Sequence, residues 1–371
     1  MVMDTRSSEK SIISREIYVG FWGMYEFLCD GNRMLTKPRF DHVLNENCYK
    51  KYNELYTTAK NQGIKIESLD MVENFSDVDC FLFSGPPNPK SKLVKRAMAC
   101  DKPMLLIIEE PETVTRRGWS KEDHSIYDAV FTWYDDWVDN EKYFKFNVFH
   151  IEDPPEITSL SHKNKFCVLI AGNKRSTHPQ ELYSERIRTI RWFEKNYPND
   201  FDLFGYDWDE LIFPIDIPLV SRLNSKKISW FRKSLFKLTT PHFPSWGGVV
   251  KDKRPVLARY WFCICYENMR DVPGYVFEKI FDCFYSGTVP VYWGGSNVCD
   301  IIPSNCFIDR RQFKTHEELY KFLKNISETQ YFEYLENVST FLKSPNANSF
   351  SAQYFSETII KQIVKATSKT R

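Results

Sequence analysis

The sequence predicts an α/β protein built from two Rossmann-like domains, and three observations carry that prediction. Short apolar runs alternate with helical-looking segments through the first half, and the alternation restarts near residue 166. The length of 371 residues suits two domains at roughly 100–200 residues each. Strands separated by helices imply βαβ units and parallel sheets.

In the first half, residues 17–22 read as a strand and 49–62 as a helix stopped by Gly63. Residues 64–66 and 79–83 read as further strands, 92–100 as a helix, 104–108 as the most apolar strand, and 129–133 as another. From Val138 to Lys165 the pattern decays into aromatic, polar and proline-containing sequence, including Asp153-Pro154-Pro155. This sets the expected domains at 1–155 and 156–350, with a terminal helix or tail at 351–371. The second domain opens with a strand at 166–172, a helix at 179–197 and a strand at 201–205. A Trp-rich basic stretch covers 224–260, followed by a strand to Tyr266, a helix at 275–286, a strand at 289–293 and terminal helices to about 367.

Composition excludes several classes. Lys plus Arg number 50 against 49 Asp plus Glu, which leaves no electrostatic excess for gripping a nucleic-acid backbone. With 42% hydrophobic and 16% aromatic residues, the chain is too apolar to be disordered. The ten cysteines contain no CxxC and sit mostly in apolar runs, as Cys80, Cys263 and Cys265 do, so buried reduced thiols are expected. The seven histidines lie far apart with no HExxH, so no metal site is expected. The first fifteen residues lack a signal-peptide core, and no apolar run reaches the ~18 residues of a membrane span. A cytoplasmic protein is the expectation.

No GxGxxG follows the first strand and no GxxxxGK[ST] occurs, so the glycine-lined phosphate cradles of dinucleotide and P-loop proteins are missing. Gly294-Gly295-Ser296-Asn297 reads first as a surface turn and second as a tight turn beside a ligand. Residues 262–294 are more informative: a buried strand ends in Glu267-Asn268, a Pro273-Gly274 loop leads into a helix, and Gly287 precedes another buried strand. Val276, Ile280, Cys283 and Phe284 share one helical face. Glu278 and Lys279 then fall in the first turn, off that face, where free N–H groups and the positive dipole end favour an anion. A lysine there is a mobile charge suited to a diphosphate, and the alternative is a pair of solvated surface residues.

This segment resembles the signature of the α1,3/1,4-fucosyltransferases, glycosyltransferase family ten, and most resembles soluble bacterial-type members. The resemblance runs through Cys265-Tyr266-Glu267-Asn268, then Gly274-Tyr275-Val276-Phe277-Glu278-Lys279, then Ser286-Gly287-Thr288-Val289-Pro290-Val291, and on through Pro303 to Asp309. Phe277 stands where the family has Thr, and Met269 where it has Ser. The resemblance implies a GT-B fold, two Rossmann-like domains facing across a cleft. It also implies an inverting, metal-independent transfer of L-fucose from GDP-fucose, with no cofactor. The implied acceptor is an oligosaccharide or glycolipid, with O3 of N-acetylglucosamine in a surface glycan or lipopolysaccharide precursor as the attacking hydroxyl.

The family's functional positions carry over as follows. Ile170-Ala171-Gly172-Asn173 and the helix after it resemble the start of the donor domain, and Arg186 best matches its diphosphate-binding arginine. Arg188 and Arg191 lie close by, and all three could simply decorate an amphipathic helix. Arg186, Glu267, Asn268, Tyr275, Val276, Glu278 and Lys279 are the implied donor-binding residues, with Lys279 and Arg186 stabilising the leaving diphosphate. At Ile107-Ile108-Glu109-Glu110-Pro111 the resemblance implies a general base: spacing from Trp119 favours Glu110, whereas the proline favours Glu109. A carboxylate desolvated at a strand's carboxyl end has a raised pKa, as that role needs. Trp133 and Trp137 are the best candidates for acceptor contact, although most tryptophans of such a chain belong to cores. Lys226, Lys227, Trp230, Arg232, Lys233, Phe236 and Lys237 form a basic aromatic stretch suited to anionic lipid on the inner membrane face, with the tail at 359–371 a weaker candidate. Two rivals stay open: a same-fold transferase using another nucleotide sugar, and a non-catalytic glycan-binding protein on this scaffold.

Overall fold

Parallel strands covered on both faces need apolar residues at nearly every position, and the central strands here have them. The computed structural model describes residues 15–23, 30–36, 46–147, 159–239 and 242–369. The boundary expected at 155–156 and nearly all of the amino-terminal fifteen residues lie outside the described residues.

The described residues fall into two compact units. The first takes the chain up to Ile107, together with Ile126–Phe131 and the segment from Ala352. Its elements are β1 (Ile17–Trp22), α1 (Arg33–Thr36), α2 (Glu46–Asn61), β2 (Ile64–Ser68), β3 (Cys80–Ser84), α3 (Lys92–Met98), β4 (Met104–Ile108) and β5 (Ala129–Thr132). The strands lie in the order β2-β1-β3-β4-β5. All five positions of β3 are buried, and β1 pairs in parallel with both β2 and β3. The carboxy-terminal helix Ala352–Lys369 belongs to this unit, and Phe355 packs edge-on to Tyr52 of α2 at 5.5 Å. Its Ile359, Ile360, Ile363 and Ala366 are buried, so the tail considered for membrane contact has its apolar face already covered.

The second unit comprises Ile108–Ser125 and Thr132–Ser351. It holds β6 (Tyr143–Lys145), β7 (Lys165–Ile170), α4 (Tyr183–Asn196), β8 (Phe201–Phe204), α5 (Pro218–Ser221), α6 (Ser229–Thr239), α7 (Lys253–Leu257) and β9 (Tyr260–Tyr266). It continues through α8 (Glu278–Tyr285), β10 (Val289–Trp293), α9 (Val298–Ile301), β11 (Ile308–Asp309), α10 (His316–Lys324) and α11 (Glu328–Leu342). Its five-stranded parallel sheet runs β11-β10-β9-β7-β8. Side-chain alternation along β9 divides the core between the two faces. Cys263 and Cys265 join Ile280, Cys283 and Phe284 of α8 in one cluster, while Phe262, Ile264 and Tyr266 join Ile190 and Phe193 of α4 in the other. Six of the eight cysteines whose side chains are described are buried thiols, as expected of small hydrophobes.

Within the basic aromatic stretch, α6 turns two of the seven singled-out residues inward. Arg232 is buried in an ion pair with Glu210, and Phe236 is buried beside Phe243. Trp230, Phe231 and Leu238 are 71%, 51% and 84% exposed, alongside exposed Lys226, Lys227 and Lys237.

Candidate active site

The site grows from the carboxyl ends of β9 and β10 and the first turn of α8, where parallel α/β sheets place their ligands. Glu267, one residue past β9, is fully buried. Its Oε2 accepts from Lys279 Nζ at 2.7 Å, and its Oε1 accepts from Phe277 N at 3.1 Å and Tyr292 Oη at 3.4 Å. A buried carboxylate at this position therefore aims the lysine rather than facing a ligand, which differs from the donor-contact role expected for Glu267. Burial pushes its carboxyl up, and the Lys279 ammonium opposes that shift. Burial alone would depress Lys279, but Glu267 and Glu278 outweigh it and hold the ammonium above its ordinary range.

Glu278 opens α8, and its Oε1 lies 3.7 Å from Lys279 Nζ. Burial raises its carboxyl, yet Lys279, Lys253, the helix-start backbone N–H and Lys174 together hold it at about 2. Both residues thus sit in the first helical turn as expected, Lys279 with 20% and Glu278 with 34% of the side chain exposed.

Arg186 differs from its neighbours on α4. Its guanidinium is buried and its Nη2 donates to Tyr266 O at 2.7 Å, Glu267 O at 2.8 Å and Asn268 Oδ1 at 3.0 Å. Arg188 and Arg191 pair instead with Glu185 and Glu194 of their own helix. Arg186 therefore fixes the strand-end turn that carries Glu267 and Asn268, while Arg188 is the helix decoration the sequence also allowed and Arg191 ties the helix to the loop at His242 and Phe243.

Glu110 and Glu109 separate clearly. Glu110 is half-buried, and burial pushes its carboxyl above the usual range, helped by Glu109 and Glu278 and opposed by Lys174 and Lys279. Glu109 is 5% exposed, and its carbonyl accepts from Trp133 Nε1 at 3.0 Å. Of the two, Glu110 shares its electrostatic field with both Glu278 and Lys279. Sequence reasoning missed Lys174 and Lys253. Lys174 follows Ala171-Gly172-Asn173 off the end of β7, and Lys253, at the start of α7, lies 3.3 Å from Asp282 Oδ2. The signal that could have found Lys174 was its place just past a parallel strand's carboxyl end.

The two expected acceptor aromatics differ in burial. Trp133 is fully buried, its ring 4.7 Å from Tyr275, 5.6 Å from Phe277 and 5.3 Å from Trp119. No face of it is open to a sugar, because this ring stack is a core. Trp137 is half-buried and packs 5.1 Å from Trp119 and 5.2 Å from His124. Val276 is a core residue under α8, and Tyr275 is buried with its Oη lacking a hydrogen-bond partner. Asn268 remains half-buried, with its Oδ1 engaged by Arg186.

Two glycines permit this packing. Gly274 has φ +79°, and a Cβ there would lie 2.2 Å from Trp133 O. At Gly294 a Cβ would lie 2.3 Å from Tyr292 Oη and 2.8 Å from Glu267 Cγ. Gly294-Gly295 is therefore not a plain surface turn: both residues are buried, Gly294 against Glu267 and Tyr292 and Gly295 against the backbone of Val272 and Tyr275.

Two parallel sheets flanked by helices place the chain in the α/β class, with the GT-B type of glycosyltransferase fold. A solved "Crystal Structure of alpha1,3-Fucosyltransferase" matches at a TM-score of 0.50 over 98% of this chain and 93% of that one, at 15% identity. Residues 246–366, a third of the chain, match the model for "Glycosyltransferase family 10 (fucosyltransferase) C-term", and the resemblance seen in sequence is borne out there. An alpha-(1,3)-fucosyltransferase, FucT, of Helicobacter pylori is 37% identical over 78 residues, 21% of this chain and 16% of that protein. An alpha-(1,4)-fucosyltransferase of Arabidopsis thaliana is 38% identical over 80 residues, 21% of this chain and 20% of that protein. The similarity thus spans a fifth or less of the length of these two relatives.

Proposed function

We propose that the protein is an inverting fucosyltransferase that moves L-fucose from GDP-fucose to a hydroxyl of a glycan or glycolipid acceptor, with O3 of N-acetylglucosamine as the attacking group. The observation that carries this reading is the first turn of α8, where buried Glu267 holds Lys279 at 2.7 Å and Glu278 lies 3.7 Å from the same ammonium. The two family relatives named above bear on the same transfer chemistry, one by its α-(1,3) and one by its α-(1,4) name.

In the proposed reaction Glu110 takes the proton from the acceptor hydroxyl as that oxygen attacks the anomeric carbon from the face opposite the diphosphate. The bond from that carbon to the diphosphate oxygen breaks, and its electron pair leaves with GDP. Lys279, assisted by Lys174 and by Arg186 behind the strand-end turn, stabilises the accumulating negative charge. Fixed cations of this kind contribute roughly 3–4 kcal/mol per key donor. With protein cations in this role, transfer is proposed to need no metal and no cofactor. Incubation with GDP-fucose and N-acetyllactosamine, with and without EDTA, is expected to give a fucosylated product of inverted anomeric configuration by NMR in both cases. Loss of activity in EDTA would remove the metal-independent part of the reading, and retained configuration would remove Glu110 as the base.

We further propose that the protein works in the cytoplasm and touches the inner membrane face through α6. Exposed Trp230, Phe231 and Leu238 beside Lys226, Lys227 and Lys237 support this, because aromatic and aliphatic side chains enter the interface while lysines meet anionic headgroups. No described helix is long and apolar enough to cross a membrane. Sedimentation with phosphatidylserine vesicles is expected to capture the wild type and to lose most of it in Trp230→Ala/Leu238→Ala. Equal capture of both proteins would place the contact elsewhere.

A further inference from the structure

The far end of the same sheet carries a second opening. Tyr331, in the first turn of α11, donates from Oη to Trp261 O at 2.7 Å and accepts from Val289 N at 3.3 Å. These groups lie at the beginnings of β9 and β10, so α11 starts at the sheet's amino end. Glu267 and Gly294 follow the carboxyl ends of the same strands. The two ends are ~20 Å apart at about 3.3 Å per strand residue.

At the amino end, a pocket of about 360 Å³ is lined by Asn305, Phe322, Asn325, Gln330, Tyr334 and Asn337, with Ile326 and Glu333 completing it. Gln330, Glu333, Tyr334 and Asn337 are spaced i, i+3, i+4 and i+7, one stripe along α11, while Tyr331, Leu335 and Val338 point into the core. Asn337 Nδ2 reaches Asn305 O at 3.4 Å and closes one wall. Phe322 is 41% exposed although it is a large ring, and Tyr334 is half-buried beside it.

The chemistry of this lining is selective. Asn305, Asn325 and Asn337 offer amide donors and acceptors in several directions, and Gln330, whose Oε1 accepts from Ser327 in the cap of α11, adds its amide N–H groups, which suits a ligand rich in hydroxyls. Two aromatic rings offer faces for C–H surfaces. No lysine or arginine lines the pocket, so a phosphate or nucleotide would find no counter-charge, and Glu333 would repel it. The volume lies at the lower end for small-ligand sites, room for roughly one or two pyranose rings. We propose that this pocket is a glycan-binding site for neutral saccharides, separate from the donor site and able to hold a saccharide independently of it.

The inference does not rest on fucosyl transfer, and its test omits the donor. Lactose, N-acetyllactosamine and maltotriose are titrated against the full chain by ligand-observed NMR and calorimetry. At least one of them is expected to bind, and Tyr334→Ala and Asn325→Ala each to weaken that binding by about five- to tenfold. Asn325 is exposed, so its variant keeps the thermal transition of the wild type and guards against a folding artefact at Tyr334. Excess GDP is expected to leave the binding unchanged, which separates this pocket from the nucleotide end of the sheet. Failure of all three sugars to bind, equal binding by both variants and wild type, or displacement by GDP would overturn the proposal.

Discussion

Replacing Lys279 by alanine is expected to lower kcat for fucosyl transfer by about 10²–10³, the usual cost of removing one preorganised charge from a developing anion. The same substitution strips Glu267 of its 2.7 Å partner and leaves a fully buried carboxylate uncompensated. Breaking a buried pair from one side costs about 3–5 kcal/mol of stability, so lost activity alone does not identify a catalytic role. The double variant Lys279→Ala/Glu267→Gln separates the two effects. Glutamine removes the buried charge and retains an acceptor for Phe277 N, so the urea midpoint is expected to recover much of the loss while kcat stays low. Recovery of activity together with stability would make Lys279 a purely structural partner of Glu267.

Glu110→Gln is the second large effect. Losing a general base costs about 10²–10⁴ in rate, and Glu109 sits too deep in its own pocket to substitute. In the wild type, kcat/KM is expected to fall as pH drops through a Glu110 ionisation that lies above the ordinary carboxylate range. Burial is its main cause, reinforced by Glu109 and Glu278. The sign for stability runs the other way from that for activity. Because the folded protein binds this proton more tightly than the unfolded chain, Glu110 contributes stability below its unfolded pKa and loses it as pH rises through the raised value. At neutral pH Glu110→Gln is therefore expected to be inactive yet at least as stable as the wild type. A variant that keeps its rate, or an acid limb at the ordinary glutamate position, would move the base elsewhere.

Much of the fold was legible because buried parallel strands leave unbroken apolar runs. The strands expected at 104–108 and 289–293 match the observed β4 and β10 residue for residue. The helix expected at 179–197 starts four residues later, at Tyr183, because Glu181 bridges to Met269 and Leu182 N is held by Asn268 O. Strands β6 and β11, three and two residues long, are too short to show a period and escaped notice.

The site was legible where a charge follows from a helix start, as for Glu278 and Lys279. It was not legible where direction decides the role. Glu267 and Trp133 stand at the right places in the chain, but one turns under Lys279 and the other into a ring stack with Tyr275. The meeting of Glu110 with Lys174 joins loops 64 positions apart in sequence, a distance no local pattern spans.

The most direct measurement of the central claim is a calorimetric titration of the wild type and of Lys279→Ala/Glu267→Gln with GDP-fucose, GDP, GDP-mannose and UDP-galactose. The account predicts that GDP and GDP-fucose bind the wild type in preference to UDP-galactose, and that the variant loses at least about tenfold in affinity for both. Preference for the uridine sugar, or guanine-nucleotide binding that is indifferent to Lys279, would contradict it.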